Sequence, residues 1–592
     1  MKTRNQIEDK YKWDLTILCP SDEEFYKAVE KIKDWTLKFK QFENKLKDKE
    51  TILQYLKLDE EFEKFISPYS LYAHLKQNEI LSDNSRNEMV ETLSQRFNEF
   101  SIETSFISSE LHLLSDKILD DIIKDERFKD YDRTFMTIKK EKKHMLSKEE
   151  EKLLSGMNFL SGFSSNMEKL ADVDLDYGEI EDSKGKKHKL NQSNYALYMR
   201  GQDRTLRKNA MTNLHQTFGN HINLLANNYI CDVKQNCYFA KVRKYDSAID
   251  ASLFNEEVSK KVYQSLIDKI HKNLKVLFKY FELKKKALKL KDFYIYDSMA
   301  MVGKAQSKNY TFDQAIEIIK KAVSPLGEEY IALIQKAKDE RWIDVFPNKD
   351  KSSGAFETGI YDYHPYVMTN FEGDLDSVFT LAHELGHAMH TYFSNKSQPR
   401  EKSDYTIFLA EIASTTNEIL LINYLLKQAK SSQEKIYLYN KLFDEVKGSI
   451  FRQTMFAEFE EKVHSSYEKG EPLTKDKLCD LYYDLNKKYF GKTKLIKEIK
   501  YEWARIPHFF NAFYVYKYAT GMICAITFVN KILSGEKNAL DDYFRFLSAG
   551  CSSDPITILR NSNCDLEKEE TFISCFDYLK NILNDWKDLQ GD

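Results

Sequence analysis

The stretch Ser377-Val-Phe-Thr-Leu-Ala-His383-Glu384-Leu-Gly386-His387-Ala-Met-His390-Thr-Tyr-Phe393 decides how the rest of the chain is read. It is apolar-periodic and free of proline, and Asp374 and Asp376 stand just before it as capping residues, so it predicts a helix. His383 and His387 are four apart, which on a helix places the two rings about 5–6 Å apart on one face. Both can then reach a single zinc ion at about 2.0–2.1 Å. Glu384 projects beside such an ion, where it can take a proton from a bound water. Gly386 costs about 1 kcal/mol relative to alanine in a helix, and its missing side chain leaves room for substrate or for another backbone.

A catalytic zinc held by two histidines needs a third protein ligand and one open position. The run Phe408-Leu-Ala-Glu411-Ile-Ala-Ser-Thr-Thr-Asn417-Glu418 offers two carboxylates in a helical stretch of small and apolar residues. Glu411, between Ala410 and Ile412, is the expected ligand. Glu418 lies seven residues on along the same face and suits a partner that orients a ligating histidine; the alternative is a solvated helical acid. Glu401, in a polar loop, is the rival ligand.

Just before the metal helix, residues Gly359 to Asn370 are rich in aromatic and β-branched types and predict a strand. An edge strand beside a metal can pair with the main chain of a peptide. His364 is then a candidate for substrate contact, or a strand histidine on the solvent face.

The chain has 592 residues, 42% of them hydrophobic and 13% aromatic, enough for more than one core. Only 9 prolines and 19 glycines interrupt it, and i/i+3/i+4 apolar spacing recurs at Glu24 to Leu46, Val262 to Ala287 and Thr311 to Lys338. A mainly α protein follows, with a small sheet next to the metal helix. Lysines alternate with acids to a net charge of −4, which argues for solvated helix faces and against a nucleic-acid partner. The N-terminus lacks a signal-peptide core, and no stretch approaches the roughly 18 apolar residues of a membrane span. The eight scattered cysteines include no C-x-x-C pair. Free thiols in a reducing, cytoplasmic compartment are expected. Residues Asp176 to Ser193 carry Gly178 and Gly185 inside a polar run and predict a hairpin or exposed loop. The domain boundary is placed there, giving an N-terminal helical domain at 1–190 and a catalytic domain at 191–592.

The block from His364 through Glu418, with Trp13-Asp-Leu-Thr16, Arg505-Ile-Pro-His508-Phe-Phe510 and Phe546 to Pro555, resembles oligoendopeptidase F, within the zinc peptidases typified by thimet oligopeptidase. The likeness spans nearly the whole chain. It implies a two-lobed helical fold around a deep channel, with the N-terminal helices covering one side. It implies one Zn2+ on His383, His387 and Glu411, Glu384 as catalytic base, and short peptides as substrates. It also implies a histidine and tyrosines near the C-terminal end that contact substrate and stabilise the oxyanion. His508 matches the histidine, although from its apolar neighbours alone it reads as a core residue. The tyrosine assignment is open to an offset among Tyr514, Tyr516 and Tyr518: Tyr514 and then Tyr518 are taken as catalytic and Tyr516 as substrate-binding. His390 reads as packing or as a neighbour of the metal site. Cys551 stands where the family has glycine, with an effect on loop packing, and Cys524 is expected near the site wall. A zinc carboxypeptidase and a catalytically idle peptide-binding protein are the alternative readings.

Overall fold

The computed structural model describes residues 1–156, 162–304 and 308–590. Helices dominate, as the low proline content and the amphipathic stretches require. The first stretch forms helices Asp22–Glu30 and Ile32–Lys40, and the second forms Lys260–Ala287. The third is split into Phe312–Ala322 and Glu328–Asp339 by a short turn, Ser324–Leu326, which holds Pro325 and closes at Gly327 with a positive φ of 91°. The polar run at 176–193 folds as a hairpin of β1 (Glu179–Glu181) and β2 (Lys187–Lys189), turned at Gly185 with φ 77°.

The apolar side chains gather into two cores. One runs from Trp13 to Ile138 and the other from Met167 to Trp586. A three-stranded sheet of β3 (Ile343–Asp344), β4 (Phe356–Thr358) and β5 (Tyr366–Met368) joins them. Side chains alternate across a strand. In β5 that alternation sends Tyr366 and Met368 into the N-terminal core and Val367 into the other. A buried ionic cluster pins the chain start to this sheet: Arg4 pairs with Glu79 at 2.8 Å and with Asp344, and Lys351 reaches Asp344 at 2.7 Å.

The expected strand at Gly359 to Asn370 is shorter and differently placed. Only Tyr366–Met368 pairs, because Asp362 turns with φ 70° and Pro365 has no N–H to donate. β5 is also the central strand, parallel to β3 and antiparallel to β4. The edges belong to β3 and β4, and no local sequence pattern marks β4.

Candidate active site

Helix Leu375–Ser397, the metal helix, starts where Asp374 Oδ1 accepts the Ser377 N–H at 2.8 Å. It packs along Ile407–Gln428, the carboxylate helix. Gly386 makes that approach possible: a Cβ there would lie 2.6 Å from Ser414 Cα and 2.7 Å from Ala413 O. The space left by the glycine is therefore filled by a second backbone. Asn417 braces the pair, donating from Nδ2 to Ala382 O at 3.0 Å while its Oδ1 accepts from Tyr330 Oη at 2.9 Å, all buried.

This crossing brings three donor atoms together. His383 Nε2 and His387 Nε2 lie 3.2 Å apart, and Glu411 Oε2 is 3.3 Å from the first and 3.5 Å from the second. Among the described residues, these three are the group of histidines and acids that could hold a metal ion. Ser414 Oγ donates to Glu411 Oε2 at 3.0 Å and fixes that carboxylate. Glu418 Oε1 takes the other nitrogen of His383, Nδ1, at 2.5 Å, which sets the ring's orientation and leaves Nε2 free to ligate. Burial alone would lower the His383 pKa, but hydrogen bonds and charge from Glu411 and Glu418 outweigh it and raise it to about 10. Burial would likewise raise Glu411, yet the two imidazoles bring its carboxyl well below the usual range. Glu401 is not in the cluster; it lies in the field of Glu60 and Glu63 on helix Lys49–Glu79.

Glu384 is buried and points with His383 and Glu418 into a cavity of about 610 Å³, also lined by Asn370, Phe371 and Phe379. Burial pushes its carboxyl up, against the charges of His383 and His387.

A second group of residues stands apart in sequence. His508 is exposed on a short turn, Pro507–Phe510, and its Nε2 lies 3.4 Å from the Tyr518 hydroxyl. Tyr514 and Tyr518 meet edge to face at 5.6 Å. Tyr518 lies in the first turn of the helix Tyr516–Leu533, in which Gly521, about one turn on, passes within 3.8 Å of Glu411 Cβ as measured from an added Cβ. That close passage sets Tyr518 beside the metal cluster, and the charge of Glu411 adds to burial and Tyr514 in raising its hydroxyl pKa to about 12. Burial, then Arg452, lowers His508 below the usual imidazole range.

Tyr516 does not join this group. It is 0% exposed, packed against Tyr263 at 5.0 Å and Phe408 at 5.9 Å, and its hydroxyl has no partner. The physical reason is helical phase: Tyr516 and Tyr518 are two apart in one helix, so their side chains point about 200° apart, while Tyr514 lies before the N-cap Val515 and meets Tyr518 from the connection. His364 also lies elsewhere. Its ring stacks on Trp342 at 4.9 Å and lines a separate cavity with Tyr361 and Tyr392. His390 stacks on Tyr405 at 3.7 Å, and burial brings its pKa down to about 3, so it is a packing residue. Cys551 sits in the turn of Gly550 against Lys402 O, and Cys524 is fully buried beside Cys564 and Cys575.

Sequence reading missed Ser414 and Asn417, which look like ordinary small polar residues until the helices cross. It also missed Glu357 on β4, a carboxyl raised to about 7 by burial, against the charge of His387. Only the sheet brings Glu357 to the metal helix, so nothing in the linear sequence marks it.

Residues 197–578 match the model of peptidase family M3, and residues 110–177 match that of Oligopeptidase F. Oligopeptidase PepF of Bacillus subtilis is 34% identical over 590 residues, covering 99% of this chain and 88% of that protein. An oligoendopeptidase F homolog of Borreliella burgdorferi is 36% identical and covers 99% of both. A peptidase crystal structure from Chlamydophila abortus superposes with TM-score 0.93 at 32% identity over 99% of this chain and all of the other. Oligoendopeptidase-F from Enterococcus faecium gives 0.71 at 31%, over 96% and 98%. The donor cluster, the helical architecture and these full-length likenesses agree, and the chain belongs to peptidase family M3 as a metallopeptidase of the oligoendopeptidase F kind.

Proposed function

We propose that the chain is a zinc-dependent endopeptidase that hydrolyses internal bonds of short peptides. The observation that carries this reading is the donor triangle. A tetrahedral zinc about 2.0–2.1 Å from each donor spaces neighbouring donors by about 3.3–3.4 Å; the edges here are 3.2, 3.3 and 3.5 Å. Two imidazoles and one carboxylate, with a fourth position free, also form the donor set of a catalytic zinc. When bound, zinc would lower the pKa of a water toward about 7 and polarise a carbonyl.

The protein's own groups supply the rest. Glu384 accepts the proton of the attacking water and returns it to the leaving amine. Charge developing on the carbonyl oxygen requires hydrogen-bond donors, and Tyr518, with Tyr514 and His508, stands on the facing wall. With a pKa raised to about 12, the Tyr518 phenol keeps its proton at neutral pH and can donate it in a hydrogen bond. β4, paired on one side to β5, offers its outer edge to an extended peptide main chain, which binds with little regard for side chains.

We place the N-terminal helices over one side of a channel and the catalytic part on the other, an arrangement that admits short flexible peptides; the sheet shared by the two cores supports it. No helix among the described residues is long and apolar enough to cross a membrane. The eight free cysteines fit a reducing compartment, and we place the enzyme in the cytoplasm.

The test is incubation with peptides blocked at both ends and graded in length, with and without a chelator, followed by mass spectrometry. Internal cuts that stop on chelation and return with zinc are expected. Cleavage only of unblocked C-termini would replace this reading by a carboxypeptidase, and zinc binding without any turnover by a peptide-binding protein.

A further inference from the structure

Phe513 lies between His508 and Tyr518, in the short connection that leads from the exposed turn into the tyrosine helix. Its φ is 62°, a left-handed conformation that bulky side chains rarely adopt and that costs on the order of 1–3 kcal/mol unless the surroundings enforce it. The surroundings here are specific. The Phe513 N–H donates to Glu460 Oε1 at 2.9 Å, with both groups buried. Its ring is held between His464 at 4.6 Å and Tyr263 at 6.1 Å.

Glu460 is unusual in its own right. It sits on helix Gln453–Glu468 with 0% exposure, has no ion-pair partner among the described residues, and its second oxygen, Oε2, has no hydrogen-bond partner. A buried acid without a cation is costly, and a purely apolar residue would pack there at less expense. Burial, with Asp232 nearby, pushes its carboxyl well above the usual range, against the pull of the Phe513 N–H. Its one bonded oxygen accepts from the strained residue of the turn.

The hydrogen bonds around this point run in series. Asn511 N–H donates to His508 O at 3.0 Å, Tyr514 N–H to Asn511 O at 3.2 Å, and Tyr518 N–H to Val515 O at 3.2 Å. The chain of backbone bonds from His508 through Asn511 to Tyr514 thus spans Phe513, and Tyr514 O in turn accepts the Lys517 N–H at 3.3 Å. Among the side chains, the Tyr518 hydroxyl lies 3.4 Å from His508 Nε2, and its ring meets Tyr514 edge to face at 5.6 Å.

We propose that Glu460 is a positioning residue for the reaction: by accepting the Phe513 N–H it holds the left-handed turn that sets His508, Tyr514 and Tyr518 opposite the metal cluster. It acts through the turn and touches no substrate. This rests on the reading of that wall as the donor to the oxyanion.

The test uses the full-length zinc-loaded enzyme and the variants Glu460→Leu, Glu460→Asp and Glu460→Gln. Leucine removes the acceptor, aspartate withdraws it by one methylene, and glutamine keeps an oxygen in place. Displacing a catalytic group by about 1 Å can cost on the order of 100-fold, so Leu and Asp are expected to lose about 10- to 100-fold in kcat on a blocked peptide. KM and zinc content should stay near those of the parent, and Gln should restore most of the rate. Hydrogen–deuterium exchange of the segment 508–518 should quicken in Leu and Asp and not in Gln. Should Leu fail to fold, Asp against Gln makes the same comparison.

In a Tyr518→Phe background the further loss from Glu460→Asp should nearly vanish, because both changes disable one wall. Unchanged exchange in Asp, or an equal loss of kcat in Asp and Gln, would overturn the proposal. If exchange quickens as expected but Tyr518→Phe alone leaves kcat intact, the hold of Glu460 on the turn stands and the catalytic reading of that wall fails.

Discussion

The wall that carries His383, Glu384, His387 and Glu411 consists of two long helices interlocked through Gly386 and Ser414, with His383 tied to Glu418 and Glu411 to Ser414. The wall that carries His508 and Tyr518 consists of a short exposed turn and the first residues of a helix, joined through a strained phenylalanine. On the proposed reading, the difference separates groups that need a preset geometry from groups that do not. Metal ligands must hold a fixed triangle before any substrate arrives, whereas oxyanion donors need to reach their final geometry only with substrate bound.

Substitutions can break that comparison at graded strength. Glu411→Ala should abolish tight zinc binding while leaving the helical circular dichroism intact, since only one of three donors is removed; stoichiometric zinc by atomic absorption would mean that another acid ligates. Glu384→Gln should lower kcat by roughly 10²- to 10⁴-fold with zinc retained, because only proton transfer is lost. On the opposite wall, Tyr518→Phe should lower kcat by about 10²-fold, the usual loss for one oxyanion donor, with little change in KM. Tyr516→Phe should leave kcat unchanged and raise the denaturation midpoint slightly, because its buried hydroxyl has no partner to lose. Equal kinetic effects of these two tyrosine changes would contradict the assignment of helix faces.

Two smaller effects sharpen the contrast between the walls. Gly386→Ala places a Cβ 2.6 Å from Ser414 Cα, so the helices must part. A stability loss of about 1–3 kcal/mol is expected, with weaker zinc affinity, despite the better helix propensity of alanine. The second concerns acid. Burial brings His215 and His464 down to about 4 each. Below the unfolded value near 6.5 the unfolded chain binds more protons than the folded one, so stability falls as pH drops from about 6.5 to about 4. Each histidine contributes up to about 1.4 kcal/mol per pH unit. Urea midpoints across that window should show the slope, and His464→Gln should flatten it.

Much of the first wall is legible from spacing, because an i,i+4 pair with an adjacent acid on one helix has its geometry built into the helical repeat. His383, Glu384 and His387 are of this kind, and so is the capping Asp374. The second wall resists such reading: Tyr514, Tyr516 and Tyr518 look alike in sequence, and their roles divide only once the helix has a buried side. Ser414, Asn417 and Glu460 carry no local signature, since their partners lie on other helices or on a distant turn.

The sequence by itself determined the mainly helical character, the two histidines and acid on one helix, the polar hairpin at 176–193 and the resemblance to a peptidase family. These follow from short-range periodicity, turn chemistry and motif. Tertiary structure alone decided that Ser414 fixes Glu411, that Asn417 braces the two site helices, that β5 is central with β4 at an edge, and that Tyr518 lies in the field of Glu411 while Tyr516 is buried. The physical reason is common to all four. Each depends on how closely two backbones approach, and that distance is set by packing across the core, which local sequence patterns do not encode.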